Sequence, residues 1–330
     1  MKALVLAAGV GERMRPLTDE LAKPLLPIAN RPVMAYILEH LARHGFTDII
    51  ANLHHRADQI ADHFGDGAHL GMRLTYSFED KLYGSAGSTK RCQEFLDGDT
   101  FLVIGSDDLT DMDLTELLRL HRQAGAIASI GLVEVEETSQ FGIVVTAGDG
   151  RIEQFIEKPK TAPPSNTANT QIYLFEPEIF DLIPAGEWFD YGFNVFPALV
   201  SRGAPFYGFS LPGYWRDIGS VADYLSAQSD VLQGRVQARL EGKQVEPGLW
   251  IGEGAEISSR ADISAPAMIG RRCRVEAGAR IGGGTSLADG TVVPARVGLW
   301  NTVVWPGAAL AERAALRDCV VTSATAVSRG

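Results

Sequence analysis

The sequence predicts an α/β domain built on a mostly parallel sheet, followed by a parallel β-helix. Three observations carry this. Strand-like and helix-like segments alternate over residues 1–232. An aliphatic residue recurs every six positions from Ile251. A glycine-rich loop leaves the first strand directly, as Ala8-Gly9-Val10-Gly11.

The strands are expected at Lys2–Ala7, Asp48–Asn52, Arg73–Phe78, Phe101–Ile104, Ala128–Val135 and Gln171–Phe175, where β-branched and apolar residues cluster between turn signals. Helices are expected between them, at Val33–His44, Ala57–Phe64, Leu114–Ala124 and Ala222–Leu232. Such alternation argues for a parallel sheet with crossover helices. The stretch Gln233–Pro247, with Gly234, Gly242 and mixed charge, reads as a linker. The domains are therefore expected at residues 1–234 and 235–330.

Beyond the linker, Ile251, Ile257, Ile263, Ile269, Val275, Ile281, Leu287, Val293 and Leu299 keep a strict six-residue period. The phase then slips by one residue and continues through Val304, Leu310 and Leu316. A hexapeptide period places one inward aliphatic on each flat side of a β-helix, and in the left-handed form three repeats close a coil. A glycine-rich loop region would not explain the period.

Composition bounds the function. The 330 residues are 45% hydrophobic and 22% charged, with 30 Lys+Arg against 41 Asp+Glu for a net charge of −11. An acidic chain lacks the basic face that nucleic acid or an anionic membrane needs. Phosphate can still be bound by a local pocket of Lys, Arg and backbone N–H. Cys92, Cys273 and Cys319 are odd in number and widely spaced, which argues against a disulfide framework or a thiolate zinc site. The apolar run Ala3–Ala8 is too short for a signal peptide, and no run is long enough to span a bilayer, so a soluble, cytosolic chain is expected.

The loop Leu6-Ala7-Ala8-Gly9-Val10-Gly11-Glu12-Arg13-Met14 leaves the carboxyl edge of the sheet, where α/β folds bind phosphates through backbone N–H groups. Met14 stands where the dinucleotide fingerprint needs a third glycine, and Glu12-Arg13 stand where a P-loop needs Lys-Ser/Thr. Arg13, Arg15 and Lys23 instead place three cations within eleven residues, a set suited to a triphosphate. The pair His54-His55 reads as a βα-turn rather than a metal pair.

The run Gly9-x-Gly11-x-Arg13-Met14-x-Pro16-Leu17-Thr18, then Lys23-Pro24-Leu25-Leu26-Pro27, resembles the signature of nucleotide-sugar pyrophosphorylases. Phe101–Asp107 resembles that family's strand ending in Asn-Gly-Asp, Glu157-Lys158-Pro159 its Glu-Lys-Pro, and Trp215–Gly219 its Trp-x-Asp-Ile-Gly. The resemblance implies a Rossmann-like nucleotidyltransferase domain with a left-handed β-helix behind it. The reaction it implies is attack of a sugar 1-phosphate on the α-phosphorus of an NTP, with Mg²⁺, to give an NDP-sugar and pyrophosphate.

Roles follow residue by residue from the resemblance. Arg13 and Lys23 contact the triphosphate, while Asp107 and Asp217 hold Mg²⁺, with Asp108 beside Asp107 leaving that register open. Ser220 and Asp223 already read as the capping box of the following helix, which leaves Asp217 for the metal. Leu6, Ala8, Gly9, Gly11, Glu79, Gly84 and Ser85 face the nucleotide. Glu157, Lys158, Asn169 and Thr170 face the sugar phosphate, with Asp190 a further candidate. This chain departs from the family at Glu12, Gly105-Ser106, Tyr83, Ser85 and Gln171, the last replacing a glycine, which puts the base and the sugar in question.

The short loop and the single-chain β-helix resemble the guanylyltransferase branch, which implies GTP with mannose 1-phosphate or a related sugar. Glucose 1-phosphate with UTP, dTTP or ATP stays open. A sensor of NDP-sugars is a second class, but it predicts loss of Lys23, Asp107 or Asp217, and all are present. An acyltransferase site on the β-helix would want a histidine base, and no His follows His121. Trp250 and Trp300 sit beside inward positions and are expected to point outward, implying a homo-oligomer assembled through the β-helix.

Overall fold

The computed structural model describes residues 1–328. The chain falls into two compact units, the first made of Met1–Val10 and Ile37–Trp215, the second of Gly11–Tyr36 and everything from Arg216 on. No helix among the described residues is long and apolar enough to cross a membrane.

In the first unit the strands run in the order Arg73–Phe78, Asp48–Leu53, Lys2–Leu6, Phe101–Gly105, and all neighbours in this run are parallel. Ala3, Leu4, Val5, Leu102 and Val103 are fully buried, as strands covered on both faces require. The strand Thr167–Phe175 then pairs antiparallel with Phe101–Gly105 and makes the sheet mixed. The six expected strands are all present, each within a few residues of its expected ends. Three more, Gly142–Thr146, Ile152–Glu157 and Phe206–Ser210, extend the sheet. The four expected helices form as well, and a further helix, Gly84–Arg91, begins in the glycine-containing segment Gly84–Gly87.

Local chemistry sets the ends of these elements. Asp113 caps Leu114–Ala124 by accepting from the N–H of Thr115 and Glu116, and Gly125 ends that helix at a left-handed φ of 57°. His54 and His55 do lie in a βα-turn, with the His54 ring bonded to the Glu79 carbonyl at 2.9 Å. An aromatic stack of Phe175, Tyr191, Phe196 and Phe206, with centroids 5.0–5.5 Å apart, fills the far side of the sheet. It anchors the π-turn Tyr191–Val195, a rare geometry that tends to mark functional positions.

In the second unit the hexapeptide period becomes parallel pairing at a spacing of eighteen. Leu249 pairs with Ala267 and Ala267 with Thr285, Ile257 with Val275 and Val275 with Val293, and Ile263 with Ile281. Three flat sides per coil result, which is a parallel β-helix. All twelve residues of the aliphatic series lie in or against one core cluster. A second inward column of small residues, Ala255, Ala261, Ala267, Cys273 and Ala279, sits two positions ahead of each aliphatic. The phase slip is real: Leu287 pairs with Val304 and Leu299 with Leu316, one residue short of eighteen. The stretch read as linker is partly ordered, since Lys243–Glu246 pairs antiparallel with Leu249–Ile251 at one end of the coil. Of the tryptophans, Trp300 is 44% exposed as expected. Trp250 is only half-exposed, with its indole nitrogen buried, and Trp305 turns inward to Tyr224.

The period makes a sharp prediction. Val293 is fully buried while its neighbour Val292 is 43% exposed. Val293→Ala should cost roughly 1–3 kcal/mol in a urea titration, and Val292→Ala should stay within about 0.5 kcal/mol.

Candidate active site

The first unit supplies a row of groups at the carboxyl ends of its parallel strands. Lys2–Leu6 has Asp48–Leu53 on one side and Phe101–Gly105 on the other, so the chain reverses its direction across the sheet at this strand. Crevices at such switch points bind ligands in open α/β sheets. The Ala7 N–H donates to Asn52 Oδ1 at 2.9 Å, and Asn52 Nδ2 donates to Glu79 Oε1 at 3.0 Å. Glu79 is 6% exposed, and its buried Oε2 has no hydrogen-bond partner among the described residues. A buried acceptor left unmet is costly, which marks this oxygen as one a ligand donor could take. Asn52 was not nominated from the sequence, although a polar residue ending the buried run Ile49-Ile50-Ala51 is a readable signal.

The segment Tyr83–Gly87 is held from behind. Ala86 N–H and Gly87 N–H both donate to the Phe189 carbonyl, at 3.0 and 2.9 Å, and Phe189 N–H returns to Tyr83. A Cβ on Gly84 or Gly87 would run into the backbone oxygens of Phe189 or Glu187, so both glycines are steric requirements. The Ser85 hydroxyl donates to Asp190 at 2.8 Å and accepts from the Tyr191 N–H, while Asp190 also caps the π-turn. These two side chains tie helix to loop. With the Ser85 hydroxyl so occupied, Gly84 and Ser85 present main chain at the helix start.

At the end of Phe101–Gly105 the two aspartates separate. Asp108 is fully buried with its carboxylate against the Gly105 Cα, and Asp107 is partly exposed. Exposure therefore favours Asp107 as the group able to reach a ligand.

Glu157 ends the strand Ile152–Glu157, with its carboxylate seated against the Cα atoms of Gly142 and Gly192. Burial raises its pKa, Lys158 opposes the shift, and Asp190 adds to it. Lys158 Nζ lies 3.8 Å from Glu157 Oε1, and Lys158 itself adopts a left-handed φ of 43°. Asn169 accepts from the Gln171 N–H at 2.9 Å and donates to the Tyr173 hydroxyl at 2.9 Å. Gln171 sits at φ 59° in a bulge where pairing with Ala128–Glu134 breaks between Asn169 and Tyr173. The left-handed backbone expected of a glycine is thus kept by a glutamine, at a cost of about 1–2 kcal/mol. Thr170 is fully buried and donates to the Gly131 carbonyl, while its own carbonyl accepts from Trp215 Nε1 at 3.0 Å. It supports the bulge rather than offering its hydroxyl. The glycines at 142 and 192 could not be nominated from sequence, being far from Glu157 along the chain.

The second unit carries the cationic loop. Gly11, at φ 70°, opens a single 3₁₀ turn over Glu12–Met14, and Thr18 Oγ1 donates to the Gly11 carbonyl at 2.9 Å. A Cβ on Gly11 would strike Thr18 and crowd the Lys23 stem, so the glycine lets Lys23 lie along the loop. Met14, in the place of a third glycine, is fully buried and pins the turn. Arg13 is exposed, and its guanidinium lies 3.7 Å from Asp217 Oδ2, with Asp217 14% exposed. Gly219 makes that approach possible, since a Cβ there would meet both partners. The Ser220 hydroxyl caps Val221–Leu232 through the Asp223 N–H at 3.1 Å, as the capping box requires.

Comparison with known proteins places these features in a family. Residues 2–234 match the family model described as nucleotidyl transferase. The chain is 43% identical over 267 residues to a UTP–glucose-1-phosphate uridylyltransferase of a Synechocystis strain, covering 76% of this chain and 69% of that protein. It is 33% identical over 273 residues to a mannose-1-phosphate guanylyltransferase of Mycobacterium tuberculosis, covering 77% and 76%. A solved structure of a proposed glucose-1-phosphate thymidylyltransferase from Bacillus anthracis superposes with a TM-score of 0.64 at 26% identity, over 69% of this chain and 94% of that one.

The raised pKa of Glu157 has a testable sign. The folded chain favours the protonated carboxyl more than the unfolded chain does, so this stabilisation is present below the ordinary Glu range and is lost as pH rises through the raised value. Glu157→Gln should therefore melt higher than the native chain at pH 7.5, with the gap closing toward pH 4 in thermal scans.

Proposed function

The chain belongs to the nucleotidyl transferase family, and on that premise we propose that it is a sugar-1-phosphate nucleotidyltransferase acting on UTP and glucose 1-phosphate. The carrying observation is the 43% identity to a uridylyltransferase of glucose 1-phosphate, in a chain whose sequence has all of Arg13, Lys23, Asp107, Glu157, Lys158 and Asp217. The sequence alone leans instead to GTP with mannose 1-phosphate. That is the second reading, supported by guanylyltransferase relatives at 33–34% identity.

In this reading a phosphate oxygen of the sugar 1-phosphate attacks the α-phosphorus in line. A new P–O bond forms, the bond to the β-phosphate oxygen breaks, and pyrophosphate leaves with the electron pair. No proton needs to move, so the protein contributes position and charge. Arg13 and Lys23 neutralise charge on the triphosphate, and backbone around Gly9 and Gly11 gives it room to approach. Leu6 and Ala8, at the end of the first strand, line the nucleotide with Glu79, Gly84 and Ser85. Glu157 accepts from sugar hydroxyls and Lys158 holds the sugar phosphate, with Asn169 and the bulge around Thr170 beside them.

Asp107 and Asp217 are the carboxylates we assign to a divalent cation, Mg²⁺. A donor set of two carboxylates, without thiolate or imidazole, fits a hard ion that takes its remaining ligands from phosphate and water. When bound, it would neutralise charge gathering on the phosphate oxygens. We read the catalytic domain as residues 1–234, a boundary supported by the family model's span of 2–234, with linker and β-helix at 235–330. The exposed Trp300 supports assembly into a homo-oligomer through the β-helix. A monomeric mass by light scattering at micromolar concentration would overturn that part.

Pyrophosphate release from five NTPs against glucose, mannose, N-acetylglucosamine and heptose 1-phosphates should show its strongest rate with UTP and glucose 1-phosphate. A stronger rate with GTP and mannose 1-phosphate would select the second reading, and a blank matrix with folded protein would sink both. Asp107→Ala and Asp217→Ala should each lower kcat about 10²–10³-fold while remaining folded. Near-normal kcat in both would refute the cation assignment.

A further inference from the structure

The loop that carries Arg13 and Lys23 is held by residues two to three hundred positions away, all within the second compact unit. Directly after Lys23-Pro24-Leu25-Leu26 the chain forms a small hairpin, Pro27–Ile28 against Arg31–Pro32. Its turn residues Ala29 and Asn30 both adopt left-handed φ, 45° and 62°. That pairing of angles suits Asn-Gly, whereas an alanine resists it and needs support from outside.

The support is specific. Ala29 N–H donates to Oε1 of the fully buried Gln228 at 2.7 Å. Asn30 Nδ2 donates to the Leu287 carbonyl of the β-helix at 2.7 Å. The Tyr224 hydroxyl donates to the Pro27 carbonyl at 2.6 Å and accepts from Trp305 Nε1 at 3.2 Å. Upstream of Lys23, the Glu20 carboxylate accepts from the hydroxyls of Thr322 at 2.6 Å and Ser323 at 3.3 Å. Lys23 is therefore bracketed, at Glu20 and at Pro27–Asn30, by residues from successive β-helix coils and by the helix Val221–Leu232.

We propose that the β-helix and the helix Val221–Leu232, tied to it by the Trp305–Tyr224 bond, together form a positioning element for phosphate transfer: the β-helix holds the Lys23 segment through Asn30, and the helix holds it through Gln228 and Tyr224. These are positioning residues, since they touch the loop and not the reacting atoms. The inference rests on the reading of Lys23 as a triphosphate contact. A displacement of about 1 Å at such a group can cost around 10²-fold in rate, so losing the supports should slow transfer before it unfolds the chain.

The test uses the full chain. Asn30→Gly keeps the left-handed turn and removes only the bond to Leu287, and Gln228→Met removes the acceptor at similar length. Both singles, the double variant, and the double variant with Ala29→Gly added are compared for melting temperature, kcat, KM of each substrate, and calorimetric binding of inorganic pyrophosphate. The double variant is expected to stay folded and lose about ten-fold or more in kcat and in pyrophosphate affinity, with KM for the sugar 1-phosphate within about two-fold. Ala29→Gly, which adopts the turn without help, is expected to restore much of the loss. A folded double variant with kcat and pyrophosphate affinity within two-fold of the native chain would overturn the proposal, as would a loss that Ala29→Gly does not reverse. Should the double variant fail to fold, Asn30→Gly alone decides by the same two readouts. Lys23→Ala separates the two readings: if it leaves pyrophosphate binding and turnover intact, the role of Lys23 fails, whatever the hairpin variants do.

Discussion

Parallel pairing of Lys2–Leu6 with strands on both sides is the constraint from which the first unit's share of the site follows. Parallel strands end on the same edge, so the groups that follow each strand emerge in a row. There the Ala7 N–H donates to Asn52, Asn52 donates to Glu79, and the Ser106 N–H donates to the Leu6 carbonyl, with Asp107 following Ser106 in the chain. Such an edge gathers polar groups that the strands themselves could not bury, and the ones with no internal partner are the ones a ligand can satisfy.

Glycine does a second job at this site. At Gly84, Gly87, Gly142 and Gly219 the demand is space, because backbone or carboxylate oxygens stand where a Cβ would be. Gly142 seats the Glu157 carboxylate, and Gly219 lets Arg13 reach Asp217. Non-glycine residues take the opposite burden. Ala29, Asn30, Lys158 and Gln171 all hold left-handed backbone: Lys158 is itself assigned to the sugar phosphate, Gln171 follows Asn169 and Thr170, and Ala29 and Asn30 turn the hairpin that follows the Lys23 segment. Strain of this kind persists only where surrounding contacts over-determine the conformation. At Gln171 the bond to Asn169 supplies that, and at Ala29 the buried Gln228 does.

The second unit shows why an appended β-helix can matter to a loop near the start of the chain. A β-helix is regular, so each coil offers carbonyls and side chains at fixed intervals, and a loop laid along it is held at several points at once. Gly11–Tyr36 is held in this way at Glu20 and Asn30, while at Ala29 the hold comes from Gln228 of the helix Val221–Leu232. The period that builds the coil also supplies its stability, since every aliphatic of the series is withdrawn from water together.

What the sequence determined by itself was periodic or local. The six-residue series specified the β-helix and even its slip, because each inward position is defined relative to its neighbours along the chain. Strand–helix alternation specified the sheet, and the motifs around Lys23, Asp107, Glu157 and Asp217 marked candidate chemistry, because residue type and short spacing carry it. The tertiary structure alone decided which of those side chains are buried and which are exposed. It buried Asp108 and left Asp107 partly exposed, spent Ser85, Asp190 and Thr170 on holding helix and bulge, and brought Asn52 to Glu79. It also grouped Gly11–Tyr36 with the β-helix rather than with the sheet that precedes it in the chain. The reason is physical: burial and hydrogen-bond partnership depend on groups distant in sequence, and neither residue type nor spacing encodes which of them will meet.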